Sequence, residues 1–195
     1  GYPILRAEKG SYIADREPDW LLGLGSTFTW KDLTVSFLFD GRKGGDVFNY
    51  TRQGLNSSGM DKRLTQYRNH EVLIKGVVKQ ADGSYAPNTT PVLLDANFIN
   101  NYYNPVATNF IEDGSYIRLS HVTIGYDFTR FLAKGCPIKG LKFQATGRNL
   151  FLLTKYTGSD PQILASTVGG TGAAGIDNYS TPSTRSFNFS LSATF

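Results

Sequence analysis

The last eleven residues, Arg185-Ser-Phe-Asn-Phe-Ser-Leu-Ser-Ala-Thr-Phe195, alternate without a break. Odd positions carry Phe187, Phe189, Leu191, Ala193 and Phe195, and even ones carry Ser186, Asn188, Ser190, Ser192 and Thr194. Successive side chains of a strand point to opposite faces, so this segment has one apolar face and one polar face. Leu141, Phe143 and Ala145 repeat the device against Lys142, Gln144, Thr146 and Arg148. Upstream, Trp20, Leu22, Leu24, Phe28 and Trp30 share one parity; after Lys31-Asp32 the pattern resumes with Leu33, Val35, Phe37 and Phe39. Two alternating runs joined by so short a polar link predict a tight hairpin. Between 116 and 128, apolar residues sit on odd positions (Ile117, Leu119) and then on even ones (Val122, Ile124, Tyr126, Phe128). A parity switch at Ser120-His121 predicts a β-bulge. The chain therefore reads as all-β, with strands near 20–30, 33–39, 116–128, 141–153 and 185–195 and no convincing amphipathic helix.

These runs exceed the ~5–6 residues usual in soluble sheets and match the ~9–11 of a tilted strand crossing a bilayer. Trp20, Trp30, Tyr116, Tyr126, Phe128, Tyr156 and Phe195 cluster at run ends, where aromatic girdles of membrane barrels lie. A soluble sandwich explains the alternation equally well, but not the lengths or the end-placed aromatics. Short connections (31–32 and 129–140) alternate with long ones (40–115 and 154–184), as when periplasmic turns are short and extracellular loops long. The longest apolar run is Leu150-Phe-Leu-Leu153, too short for a membrane helix or a signal-peptide core. Five strands cannot close a barrel, which needs at least about eight. The chain is thus expected to be part of a larger barrel, or one completed by other chains, and its start at Gly1-Tyr2-Pro3 agrees with the former.

Composition narrows the chemistry. One cysteine, Cys136, excludes a disulfide framework, and two histidines, His70 and His121, give no metal-ligand spacing. The net charge of +4 comes from basic residues interleaved with acidic ones (Arg6/Glu8/Lys9, Lys31/Asp32, Asp61/Lys62), not from the stripe that nucleic acid requires. Gly170-Thr-Gly-Ala-Ala-Gly175 spells a dinucleotide fingerprint, but a turn-rich stretch follows it instead of a helix. It reads as a loop. No nucleophile elbow occurs, and His121 reads as a strand residue rather than a base. Glu112-Asp-Gly114 reads as a turn into a strand, and Asp15, Glu17 and Asp19 lack the spacing of a calcium loop. No catalytic, cofactor-binding or metal residue is assigned, and the chain is not expected to be an enzyme. The long loop 40–115 is richer, with Phe48, Tyr50, Tyr67, Tyr85, Phe98, Tyr102, Tyr103 and Phe110 among many Asn, Gln and Thr. Aromatic platforms beside amides suit sugar faces or peptide backbones, although the same rings could simply pack the loop. Tyr50, Tyr67, Tyr102 and Tyr103 are the candidate ligand or lid contacts, with an exposed Asn-Tyr-Tyr-Asn stretch at 101–104 foremost.

Several of these segments resemble the late barrel region of SusC/RagA-type TonB-dependent outer-membrane transporters. They include Pro18-Asp-Trp-Leu-Leu-Gly-Leu-Gly-Ser-Thr-Phe-Thr-Trp-Lys-Asp-Leu33 and Gly41-Arg-Lys-Gly-Gly-Asp-Val-Phe-Asn49. Phe110-Ile-Glu-Asp-Gly-Ser-Tyr-Ile-Arg118, Val122-Thr-Ile-Gly-Tyr126, Ala145-Thr-Gly-Arg-Asn-Leu-Phe151 and Lys155-Tyr-Thr-Gly-Ser-Asp-Pro161 follow in the same order, as does the terminal strand. The likeness spans roughly residues 18–195. It implies the C-terminal strands of a transmembrane antiparallel barrel of 22 strands with long extracellular loops, in the outer membrane and surrounded by its lipid. It implies TonB-dependent uptake of oligosaccharides or peptides under a SusD-like surface lipoprotein, powered by the TonB-ExbB-ExbD complex. The signal peptide, TonB box and plug of such proteins are not found in this sequence. Phe195 looks like the signal read by the barrel-assembly machinery. On this reading Leu22, Phe37, Phe143 and Phe189 face lipid, while Arg118, Lys142, Gln144 and Arg148 face the lumen. A small outer-membrane enzyme barrel and a soluble carbohydrate-binding β-sandwich are the alternatives.

Overall fold

A computed structural model describes residues 1–5, 11–162 and 175–195. Among these, the chain divides into two compact units. One comprises residues 15–46, 113–162 and 181–195, and the other residues 1–14, 47–112 and 175–180.

The first unit is a five-stranded antiparallel sheet in the order β1 (Pro18–Trp30), β2 (Leu33–Gly44), β9 (Tyr116–Asp127), β10 (Gly140–Thr154) and β12 (Ser186–Thr194). Its register aligns the alternation of every strand. Leu24 lies opposite Phe39, Phe28 opposite Val35, and Phe37 opposite Val122. Ile124 faces Ala145, which faces Phe189, and Tyr126 faces Phe143, which faces Leu191. One face is thus apolar across all the strands, interrupted by small residues such as Ser26, Gly41 and Gly147 and, at the end of β2, by Lys43 opposite Trp20. The other carries Thr27, Ser36, Asp40, Arg118, Thr123, Gln144, Asn188 and Ser190, with Leu21, Leu38 and Leu152 as its aliphatic exceptions. The apolar face is open: Phe28 is 61% exposed, Trp30 70%, Phe189 71% and Leu191 68%. A soluble sandwich would bury these residues.

The link between β1 and β2 is the two-residue turn Lys31-Asp32, with Lys31 left-handed at φ 54°. The pairing of β9 slips where the parity switch predicted a bulge. Leu38 and Arg148 face His121, whereas Phe39 and Phe151 face Leu119, so Ser120 is left over. On β10 the slip is absorbed by Asn149 and Leu150; Asn149 sits at φ 52°, and its side-chain amide donates to Thr184 O at 2.9 Å. Strand β2 runs on to Gly44 and does not give way to a loop at 40; its last residues, through Arg42, pair with both neighbours.

The second unit is the intervening segment, and it is not irregular loop. It holds β3 (Asp46–Asn49), the helix α1 (Tyr50–Ser57), the hairpin pairs β4 (Glu71–Val72) with β7 (Val92–Leu93) and β5 (Val77–Lys79) with β6 (Tyr85–Pro87), the helical stretch α2 (Ala96–Phe98) continuing through Ile99–Tyr103, and β8 (Ile111–Asp113). Strand β3 lies between β8 and β11 (Ile176–Asp177). Val92, Phe98 and Ile99 form a small core with Leu64, Val72 and Leu94 against it. Asn49 caps α1, its side-chain oxygen accepting from Arg52 N at 2.9 Å. The absence of helices expected from the sequence is therefore corrected. Thr51, Gly54 and Asn56 weaken the propensity of α1, and tertiary packing and the cap compensate.

Candidate functional site

On the polar face of the sheet, Arg118, Lys142, Gln144 and Arg148 all lie where the alternation puts them, and they differ in what they touch. Arg118 is not available to line a path. Its guanidinium donates to Asp160 Oδ1 at 2.6 Å, and the two side chains are 7% and 1% exposed. Asp160 also accepts from Gln162 N and from the Ser183 hydroxyl, so one carboxylate ties together the segment between β10 and β12. Lys142 pairs with Asp127 at 3.4 Å while remaining well exposed. Gln144 sits between Gly125 and Ser190, and Arg148 between His121 and Ser186. Phe195 is exposed beyond the end of β12, at the same end as the turn 31–32.

In the second unit, Arg52 is the polar hub. Its guanidinium reaches Glu112 at 3.0 Å, Asp61 at 3.4 Å and Asn109 O at 3.3 Å, and lies over the buried Phe110 ring. Asn49 donates to the same Glu112 carboxylate. This network ties α1 to β8 and to the turn before it.

The candidate tyrosines part company. Tyr50 is exposed and meets the exposed Tyr179 edge-on at 6.0 Å. Tyr179, left-handed at φ 50°, donates its N–H to Thr51 Oγ1, which in turn donates to Asp177. Tyr67 is also exposed. Tyr102 instead stacks on Tyr2 at 4.6 Å and on Phe98 at 6.0 Å, and Tyr103 packs edge-on to Phe110 at 5.7 Å. Residues 101–104 are not an exposed stretch: Asn104 is buried, bonded both ways to Gln53, because the helical turn draws its side chain and both tyrosines inward. Asp113 accepts from Ser115 N–H and hydroxyl, the turn into β9 that Glu112-Asp-Gly suggested. The glycine motif at 170–175 lies outside the described residues except for Gly175. No helix among the described residues is long and apolar enough to cross a membrane, which leaves strands untouched.

A cavity of about 300 Å³ lies in the same unit, lined by Asn56, Leu64, Tyr67, Leu94 and Ile99 among others. Asn56 is 1% exposed, and among the described residues neither its side-chain oxygen nor its nitrogen has a hydrogen-bond partner.

No protein-family model matches the chain. In sequence it is similar to TonB-dependent receptor P3 of Formosa agariphila, 22% identical over 186 residues, covering 94% of this chain and 17% of the receptor. It is also similar to TonB-dependent receptor P26 of the same organism, 26% identical over 199 residues, covering 100% and 19%. The chain thus spans less than a fifth of the curated relatives it matches. Among solved structures it superposes on the RagAB peptide importer in its open-open state with a TM-score of 0.60 at 20% identity, over 92% of this chain and 17% of that one. A RagAB peptide transporter structure gives 0.52 at 18% identity, over 87% and 16%.

The fold resembles a stretch of barrel wall in the RagAB structures. The chain's sequence relatives are TonB-dependent receptors, as the ordered motifs implied. The five strands are a stretch of such a wall and not a closed barrel. Sequence reasoning found the two faces of this wall but missed Arg52, Asp160 and Asn56. Their partners lie far along the chain, or are lacking, and periodicity does not report on either.

Proposed function

We propose that the chain is wall and loop of an outer-membrane importer of the SusC type, taking up peptides or oligosaccharides in a TonB-dependent way beneath a SusD-like lipoprotein. The observation that carries this reading is the sheet-wide segregation of faces. An open, continuous apolar face suits hydrocarbon, and the polar opposite face suits a lumen. The similarity to receptors of the TonB-dependent class supports energised uptake, and the description of the structural neighbour as a peptide importer supports peptides as the first ligands to try. In this reading the long segment between β2 and β9 faces outward, Phe195 presents the wall to the assembly machinery, and coupling to TonB-ExbB-ExbD runs through parts of the protein outside this chain. The chain binds and conducts, with no catalytic step and no nucleic-acid partner.

The test is uptake by cells. Deleting the gene is expected to abolish accumulation of labelled oligopeptides or oligosaccharides, as is loss of TonB. Unchanged accumulation of both ligand classes in the deletion strain overturns the reading.

A further inference from the structure

The short-turn end of the sheet carries an excess of positive charge. Five cations, Lys31, Arg130, Lys134, Lys139 and Lys142, stand there against two carboxylates, Asp32 and Asp127. Both carboxylates are taken, Asp32 by Arg130 at 2.7 Å and Asp127 by Lys142 at 3.4 Å. Lys31, Lys134 and Lys139 have no carboxylate partner among the described residues.

Two of these cations are held over rings at the rim of the apolar face. Lys31 Nζ lies 5.1 Å from the centre of the Trp30 ring, itself 70% exposed. The Arg130 guanidinium lies 4.7 Å over Phe131 and donates to the Tyr126 hydroxyl at 2.8 Å. Phe128 and Phe131 gather about Tyr126, at 4.7 and 6.5 Å between ring centres. Leu33 stands between Trp30 and Tyr126 in the register, so the two groups are two strand spacings apart, about 10 Å. The bonds to Asp32 and Tyr126 fix the guanidinium but use only part of its five N–H donors, and the Arg130 side chain is 52% exposed.

The order of these groups along the wall selects the ligand. Apolar residues come first, then amphipathic rings, then cations that keep their stems on apolar surface and their heads in water. A matching molecule has hydrocarbon below and an anion above. A small soluble anion would use the cations and ignore the rings. A zwitterionic headgroup brings an ammonium of its own, which Lys31 repels.

We propose that the short-turn end of the wall binds anionic glycerophospholipid, with Lys31 and Arg130 on the headgroup phosphate and the upper acyl chains against Trp30, Phe128 and Phe131. This rests on the reading of the apolar face as lipid-facing, and it gives that face a headgroup preference.

The experiment is native mass spectrometry of the whole protein, extracted from outer membranes in detergent and mixed with equal amounts of phosphatidylglycerol and phosphatidylcholine of matched chains. Phosphatidylglycerol is expected to be retained about fivefold more often, the effect of one unpaired cation at an anionic surface. Lys31→Gln is expected to remove most of that preference and Lys31→Arg to keep it. Lys155→Gln, the same loss of charge beyond the far end of β10, is expected to leave it unchanged. Equal retention of the two lipids by the wild type overturns the proposal, whatever the variants do. A preference that survives Lys31→Gln, one lost equally in Lys155→Gln, or displacement of the lipid by inorganic phosphate overturns it as well. A protein found in the outer-membrane fraction without a headgroup preference removes this site and leaves the wall, whereas a protein found in the soluble fraction removes both.

Discussion

At the scale of single residues, the pair Arg118–Asp160 is where charge matters most. Both side chains are almost fully buried, so removing one leaves the other uncompensated, a loss of about 3–5 kcal/mol for buried pairs. Arg118→Ala and Asp160→Ala are each expected to lower the temperature at which the detergent-solubilised protein loses its compact electrophoretic form. The double variant should lose less than the sum; strict additivity would deny the coupling. Alternation placed Arg118 on the polar face, yet its partner is 42 residues away in a Gly-Ser-Asp-Pro turn that has no period, so the sequence could not reveal that the charge was already spoken for. Asp113 adds a pH dependence. The Ser115 hydroxyl, then the Ser115 N–H with Lys43 and Lys155, hold its carboxyl below the ordinary value, against a partial desolvation that raises it. A depressed folded pKa stabilises above the unfolded value and is lost as pH falls through the folded one. The turn 113–115 is therefore expected to hold near neutrality and to loosen only in acid below about pH 4, read as faster hydrogen exchange at Ser115 N–H. Asp113→Asn should show the faster exchange already at neutral pH.

At the scale of elements, the strands were legible because one physical rule, the period of two, governs each residue in them. The β9 bulge was legible for the same reason, since an extra residue must flip the parity. Helix α1 was not: its eight residues barely exceed two turns, and its stability comes from Asn49 and from the Arg52 contacts rather than from its own pattern. The face assignment makes a sharp prediction. Phe189 stands between Ala145 and the free edge of β12 on the apolar face, where an arginine costs about 2–4 kcal/mol at mid-depth. Phe189→Arg is expected to deplete the protein from the outer-membrane fraction, whereas Gln144→Ala, on the other face, leaves its level intact. Equal amounts of the two variants would refute the assignment. The hairpin supplies a gain instead of a loss. Lys31 is left-handed at the first position of a two-residue turn, where glycine is favoured in type II′ geometry. Lys31→Gly is expected to stabilise by about 1 kcal/mol, seen as a higher denaturant midpoint with an unchanged slope.

At the scale of the whole molecule, the two-faced sheet and its edges point to the same environment. Strands β1 and β12 each present an unpaired edge among the described residues. Half of the backbone groups of the nine-residue β12 point outward there. In hydrocarbon each unpaired group costs several kcal/mol, so one open edge costs on the order of tens of kcal/mol, more than the roughly 5–15 kcal/mol that holds a typical domain together. Such an edge cannot stand in a bilayer and must be closed by further strands of a wall. Water is no refuge either, because Phe28, Trp30, Phe189 and Leu191 would present a continuous apolar patch beside an open strand, the combination that drives edge-to-edge aggregation. The 195-residue chain produced alone is therefore expected to precipitate in detergent-free buffer. In detergent it should show no heat-dependent shift in electrophoretic migration, whereas a closed barrel that contains these strands is expected to show one. A monodisperse monomer of the isolated chain in plain buffer, stable to dilution and sedimenting at 21.5 kDa, would mean that the apolar face is buried after all, and would return the soluble sandwich in place of the membrane wall.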